Sequence, residues 1–248
     1  MSGAYRIRPS SAVKPEGQVF TSDGLVPYVT PNAMTGEQIE AALASFARAA
    51  ELGVRAAGLD GIELHGANGY LPTQFLAPNA NIRTDAWGGD IARRARFLLE
   101  AVDRIIAAVG GDRFGVRLSP GSTFNDIDDP DWPETYAYVL QELNKRRFAY
   151  LHVVAPPAGS GPDVPALVRQ HFSGTLMLNG GYDRARAEAE LAQGRADMIS
   201  FGKSFLANPD LPERLRSGAA LNEPDSSTFY SGGEKGYADY PALGVAAA

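Results

Sequence analysis

The chain has 248 residues, 44% of them hydrophobic and 21% charged, an ordinary globular composition with room for one domain of α/β-barrel size or two small ones. Its net charge of −6 argues against a nucleic-acid partner, which requires a basic face, and no run approaches the roughly 18 apolar residues of a membrane span. Zero cysteines exclude disulfides, thiolate nucleophiles and iron–sulfur ligation; His65, His152 and His171 lie at no metal-ligand spacing, and the N-terminus lacks the apolar core of a secretory signal, so no metal and a cytoplasmic address are expected.

In chain order, residues 1–34 are rich in Pro, Gly and Ser and hold no helical period. Two short apolar runs around Asp23-Gly24 predict a hairpin turning on that pair. Thr35 to Gln38 matches a capping box, and a helix is expected from there to about Gly53, with Ile39, Leu43, Phe46 and Ala50 on one face. The chain then alternates. A strand is expected over residues 59–65, followed by a loop and then a helix opened by Asp90, whose apolar positions Ile91, Ala95, Leu98, Val102, Ile105 and Val109 step by four and three until Gly110. Strands are expected over 114–119, 149–154, 175–178 and 198–201. Helices are expected from near Pro133, over 164–170, from Asp183 and over 211–216. Alternation of this kind with near-continuous apolar strands predicts a parallel sheet buried on both faces.

Several residues stand out for their chemistry. His65, Asn68 and Tyr70 cluster just past the end of the first of these strands, in a small-residue loop formed by Gly66, Ala67 and Gly69. That is where parallel α/β proteins assemble chemistry. Such donors suit a substrate oxygen on which negative charge develops; the plainer alternative is a satisfied core histidine and a packing aromatic. Arg117 falls within an apolar strand, a costly place unless it meets an anion, either a bound one or a neighbouring carboxylate. Asn179-Gly180-Gly181 and Gly202-Lys203 each follow a strand and precede a helix. Glycines that admit close backbone approach, together with one cation, are the makings of a phosphate cup. His152 reads as an interior histidine without a catalytic part. The basic run Arg93, Arg94 and Arg96 reads as a solvated helix face with packing contacts.

The loop continues through Leu71, Gln74-Phe75, Asn81-Ile-Arg-Thr-Asp-Ala-Trp-Gly-Gly89 and Arg94-Ala-Arg-Phe97. Together with His65-Gly-Ala-Asn-Gly-Tyr70 these closely resemble the old yellow enzyme family of flavin-dependent ene-reductases, with Trp87 where the family usually has Tyr. The resemblance runs from about residue 11 to 243. It implies an α/β fold of the (β/α)8 TIM-barrel family, apparently incomplete. In the family three strands precede the segment matching residues 11–18, so this chain corresponds to strands four to eight. The division expected is an irregular segment, 1–34, and a partial FMN-dependent oxidoreductase barrel, 35–243.

By the same resemblance, NADPH or NADH reduces FMN and leaves. An α,β-unsaturated carbonyl, maleimide or nitro compound then enters, His65 and Asn68 hold its oxygen, hydride reaches the β-carbon and Tyr70 protonates the α-carbon. A phenol, protonated at neutral pH, suits that task. Arg117 is expected at the pyrimidine edge of the flavin. Asn179, Gly180, Gly181, Gly202 and Lys203 are expected at its phosphate, with Lys203 keeping the charge but not the fork of the usual Arg. Tyr230 is expected beside the substrate pocket, although a plain packing role suits it as well. Two other readings stay open. One is a truncated, non-catalytic fragment that cannot retain FMN. The other is a phosphate-binding barrel isomerase, which would need an acid–base pair the sequence does not display. Open sheet edges and uncovered apolar strand faces are expected to favour self-association.

Overall fold

The computed structural model describes residues 9–21, 24–156, 161–230 and 233–244. The strands Gln18–Thr21 (β1) and Gly24–Pro27 (β2) form an antiparallel hairpin in which Thr21 pairs with Gly24. Gly24 therefore opens the second strand; Asp23, the other residue of the expected turn pair, lies outside the described residues. The capping box is present: the Thr35 hydroxyl accepts from the Gln38 backbone N–H and the Gln38 side chain accepts from that of Thr35. It starts helix α1, Gly36–Glu51. The helix does not stop at Gly53. It loosens into a π-turn over Leu52–Ala56, closed by Ala57 N–H to the Leu52 carbonyl, so the next strand starts later than expected and Leu59 stays half exposed.

Five strands then form one parallel sheet in chain order: β3 (Ile62–Gly66), β4 (Phe114–Leu118), β5 (Tyr150–Val154), β6 (Leu176–Asn179) and β7 (Met198–Ile199). The helices between them are α2 (Leu71–Leu76), α3 (Ile91–Val109), α4 (Trp132–Leu143), α5 (Val164–His171) and α6 (Arg184–Ala192). Helices α7 (Lys203–Ala207) and α8 (Leu211–Ser217) follow the last strand. Helix α2 occupies what reads as loop in the sequence. Pro72 in its first turn is a start signal that a six-residue helix, too short for a visible period, leaves unsupported.

Period-two alternation divides the sheet. Leu64, Val116, Leu118, Leu151, Val153, Leu176 and Leu178 point to one face and are buried beneath the helices. Each such side chain is worth roughly 1.5–3 kcal/mol when removed from water. Over that face Phe97 of α3 stacks on Phe75 of α2 with ring centres 4.3 Å apart and meets Phe46 of α1 edge-on. The opposite face corrects the expectation of a sheet buried and apolar on both sides. Register places His65 beside Arg117, Arg117 beside His152 and His152 beside Met177. One step earlier, Glu63, Gly115 and Tyr150 are in line. The uncovered surface is polar. The strands look continuously apolar only because each is short and its inward positions are few.

The loops are fixed by backbone geometry. Gly69 (φ +72°) packs so closely on the loop after β4 that a Cβ there would lie 2.5 Å from the Phe124 carbonyl oxygen. Gly180 has φ +127°, and a Cβ would overlap the Ala155 carbonyl oxygen, whereas Gly181 (φ +67°) faces open space. Gly181→Ala should therefore cost only the left-handed penalty of about 1–2 kcal/mol. Gly180→Ala, strained and clashing, should cost more than about 3 kcal/mol. Urea unfolding of the two variants checks this; equal losses would mean that the Ala155 approach does not constrain the turn.

Candidate active site

The site is assembled at the carboxyl ends of the strands. His65 is the penultimate residue of β3 and Tyr70 precedes α2, with ring centres 5.1 Å apart and planes tilted by 50°. Between them Asn68 adopts a left-handed conformation (φ 58°), which Asn tolerates better than most residues. Its backbone N–H donates to the Ser119 hydroxyl at 2.8 Å and its carbonyl accepts from the Asn125 amide at 2.9 Å. The Gln74 amide caps the Gly69 carbonyl at 2.9 Å. The three sequence-derived donors thus lie at the end of β3 and on the pinned loop that follows it, with the Asn68 side-chain amide left without a partner among the described residues. His65 and Tyr70 are solvent-accessible, Tyr70 51% so. Partial burial and the Arg117 guanidinium push the His65 imidazolium pKa below its usual value, so the ring is neutral at pH 7 and offers one N–H.

Arg117 lies next to His65 in register. Its Nη2 donates to Asn179 Oδ1 at 3.1 Å, and its Nε is buried without any partner. No carboxylate within ion-pair distance neutralises it among the described residues, which removes the simple structural reading of this arginine. A buried, unpaired donor costs about 1–3 kcal/mol, so the arrangement is made for an acceptor. A cleft of about 960 Å³ opens beside Asn179, between the loops that follow β4, β5, β6 and β7; Gly180, Gly181, Gly202 and Lys203 line it. A Cβ on Gly181 or Gly202 would meet nothing within 4 Å, leaving their backbone open to a ligand. Arg186 holds the Gly180 turn: its guanidinium donates to the carbonyls of Gly180 and Pro156 and lies 4.0 Å over the Tyr182 ring. Lys203 is exposed, forms no ion pair among the described residues, and stands 5.9 Å over the Phe229 ring. Tyr230 is 97% exposed and is not among the residues lining this cleft.

Sequence reading passed over a second layer. His152, interior as expected, is tied by Nδ1 to Glu63 at 3.0 Å and by Nε2 to the Ser200 hydroxyl at 2.9 Å. Gly115 leaves the space that the Tyr150 ring occupies: a Cβ there would lie 2.5 Å from it, and the Tyr150 hydroxyl reaches Glu63. The signal lay in β3 itself, where Glu63 precedes His65 by the two residues that put both on one face. The Asn81-to-Gly89 motif is structural. The Asn81 amide bridges the carbonyls of Phe75 and Trp87, and Arg83 pairs with Asp85 while donating to the carbonyls of Ser10 and Met34. Of the basic run, Arg94 is no solvated side chain. It is 8% exposed and donates to the carbonyls of Leu76 and Gly89, while Arg96 lies 4.3 Å over the Trp87 ring.

Burial pushes the Glu63 carboxyl pKa up, but the hydrogen bond and charge of His152, the Tyr150 hydroxyl and the Arg117 charge outweigh it, leaving a net value below the ordinary 4.5. Burial and Glu63 together push the Tyr150 phenol up to about 12. For a depressed carboxyl the stabilisation is present above the unfolded value and is lost as pH falls through the folded one. Glu63→Gln should therefore cost more stability at pH 7 than at pH 3, read by urea unfolding at both. An equal cost at the two pH values would show that the carboxylate charge is not what these neighbours hold.

Residues 5–222 match the model of the NADH:flavin oxidoreductase / NADH oxidase family. Among curated relatives, the chain is 42% identical over 222 residues to a probable flavin mononucleotide-dependent alkene reductase of Leishmania infantum, covering 88% of this chain and 60% of that protein. It is 41% identical over 234 residues to 12-oxophytodienoate reductase 1 of Oryza sativa subsp. japonica, covering 91% and 61%. The chain thus spans about three fifths of the length of these relatives. Among solved structures, morphinone reductase in complex with tetrahydroNAD superposes with a TM-score of 0.89 at 43% identity over 96% of this chain and 67% of that one. An old yellow enzyme homologue from Zymomonas mobilis does so with a TM-score of 0.92 at 33% identity over 96% and 68%. The five-stranded sheet is accordingly part of a TIM barrel, and the chain belongs to the NADH:flavin oxidoreductase, or old yellow enzyme, family.

Proposed function

We propose that this chain carries the FMN- and substrate-binding half of an NAD(P)H-dependent ene-reductase acting on α,β-unsaturated carbonyls, maleimides or nitro compounds. The observation that carries this reading is the continuity of the site. The donors on the β3 loop adjoin Arg117, whose unpaired Nε needs an acceptor, and Asn179 links Arg117 to the glycine-lined cleft. These residues fit FMN. The backbone of Gly180, Gly181 and Gly202 with the Lys203 ammonium would take its phosphate, and Arg117 the pyrimidine edge. Bound FMN supplies the capacity to accept hydride from NAD(P)H and give it to an electron-poor alkene.

The remaining chemistry belongs to the side chains. The N–H of neutral His65 and the amide of Asn68 hold the carbonyl or nitro oxygen of the substrate and stabilise the negative charge that develops on it, a task in which one donor is worth about 2.7–4 kcal/mol. Tyr70 Oη gives its proton to the α-carbon. Its exposure suits a donor that must also be reprotonated from solvent.

A second reading, a chain of this family that does not retain FMN alone, is supported by the sheet. Among the described residues β3 pairs only with β4 and β7 only with β6, so two edges carry unpaired backbone groups. Titrating the full chain with FMN, followed by flavin absorbance per chain and by size-exclusion chromatography, separates the readings. A one-to-one flavin complex that oxidises NAD(P)H with 2-cyclohexenone supports the first. A colourless, self-associating chain supports the second.

Where flavin is bound, Tyr70→Phe should leave NAD(P)H-driven reduction nearly unchanged and slow the alkene half-reaction by roughly 10²–10⁴-fold, the usual contribution of a general acid. Stopped-flow measurement of both halves decides; equal losses would remove Tyr70 from proton transfer. His65→Ala should weaken phenolic ligands, whose oxygen resembles the charged substrate oxygen, by tenfold or more. Unchanged affinity in a spectral titration would break up the His65–Asn68 pair.

A further inference from the structure

Four strands of the parallel sheet and the residue that follows the fifth contribute to one chain of contacts on its inner face. It starts at Glu63 of β3, whose carboxylate accepts from His152 Nδ1 of β5 at 3.0 Å. That fixes the ring orientation and turns Nε2 toward the hydroxyl of Ser200, the residue after β7, at 2.9 Å. The Ser200 carbonyl accepts from Asn179 Nδ2 of β6 at 3.0 Å, and Asn179 Oδ1 accepts from Arg117 Nη2 of β4 at 3.1 Å. Arg117 closes the circuit through space, since its charge acts on both Glu63 and His65.

The chemistry of Asn179 admits one orientation. A carbonyl oxygen can only accept, so the amide nitrogen must face Ser200. A guanidinium can only donate, so the amide oxygen must face Arg117. Each bond alone specifies the same orientation, and together they lock the amide. Its side chain is thereby committed to Arg117 and Ser200 instead of to a phosphate, although the residue borders the cleft.

We infer that Asn179 is a positioning residue: its locked amide holds Nη2 of Arg117 and so fixes the orientation in which the guanidinium meets a ligand. The functional consequence, stronger FMN binding, rests on the reading proposed above, whereas the orientation itself does not. Ser200 is the hinge of the device, because its hydroxyl is held from the His152 side and its carbonyl sets the amide. The Glu63–His152 pair therefore supports a guanidinium on another strand without touching it.

The test uses the full chain labelled with [15N]arginine. Nuclear magnetic resonance exchange measurements report rotation of each guanidinium about its Cζ–N bonds, and the Arg117 signal is assigned by its loss in Arg117→Lys. In Asn179→Leu the rotation of Arg117 should accelerate at least tenfold, while Arg94, held by the carbonyls of Leu76 and Gly89, stays as in the wild type. Asn179→Asp, which keeps an acceptor, should restore slow rotation. Wild-type rotation in Asn179→Leu, or rotation in Asn179→Asp as fast as in Asn179→Leu, would overturn the inference. Fluorescence titration with FMN is the second arm, in which Asn179→Leu should weaken binding about tenfold. If the wild type binds no FMN while the rotation results hold, the positioning stands and the FMN reading fails. If FMN binds equally to the wild type and Asn179→Leu, the asparagine does not aim Arg117 at the cofactor and the inference falls.

Discussion

Everything on the inner face hangs on the pairing register between β3 and β4. Side chains alternate with a period of two, so slipping the pair by one residue would turn Glu63 and His65 under the helices and bring Leu64 to the ligand side. What prevents the slip is the outer face. Leu64, Val116 and Leu118 are fully enclosed by the helical layer, and their burial in a close-packed core tolerates no polar substitute. The energy that fixes the chemistry therefore lies behind the sheet, in residues that never meet a ligand.

The inner face is governed by charge. One carboxylate, one guanidinium and two imidazoles share a small area, and the carboxylate pairs with an imidazole, not with the guanidinium. Glu63 takes His152 and Tyr150 as partners, leaving Arg117 its charge and a free donor, while partial burial and then Arg117 lower the pKa of His65. Had Glu63 reached Arg117 directly, the two charges would cancel and the site would attract anions poorly. The division of partners decides the electrostatics.

Much of this was legible in the sequence. The βα alternation placed the five strands in order, and the spacing of His65, Asn68 and Tyr70 put the donors on one loop because that information is local. The glycines of the cleft were equally plain. The circuit was not, because Glu63 and Ser200 acquire meaning only through partners up to 89 residues away, and register between strands is set by tertiary packing. Arg94 misled for a similar reason. Within a basic run on an amphipathic helix nothing local distinguishes the one arginine whose guanidinium turns inward to cap carbonyl groups. Tyr230, assigned by resemblance alone, stands in the solvent, and no feature of the described residues draws it to the cleft.

Gln74 belongs to two assemblies at once. Its side-chain amide holds the Gly69 carbonyl, in the loop that presents Asn68 and Tyr70, and its own carbonyl accepts from the Ser10 hydroxyl. Ser10 also reaches the Ala80 carbonyl, and Ser11 takes the Ile82 N–H. A stretch of chain with no regular structure is thus fastened to the same short helix that carries the donor loop, and the two cannot loosen separately. The helix works as a beam anchored at one end by the early segment and loaded at the other by Tyr70, so the stiffness of the loop after β3 is borrowed from residues about sixty positions upstream in the chain.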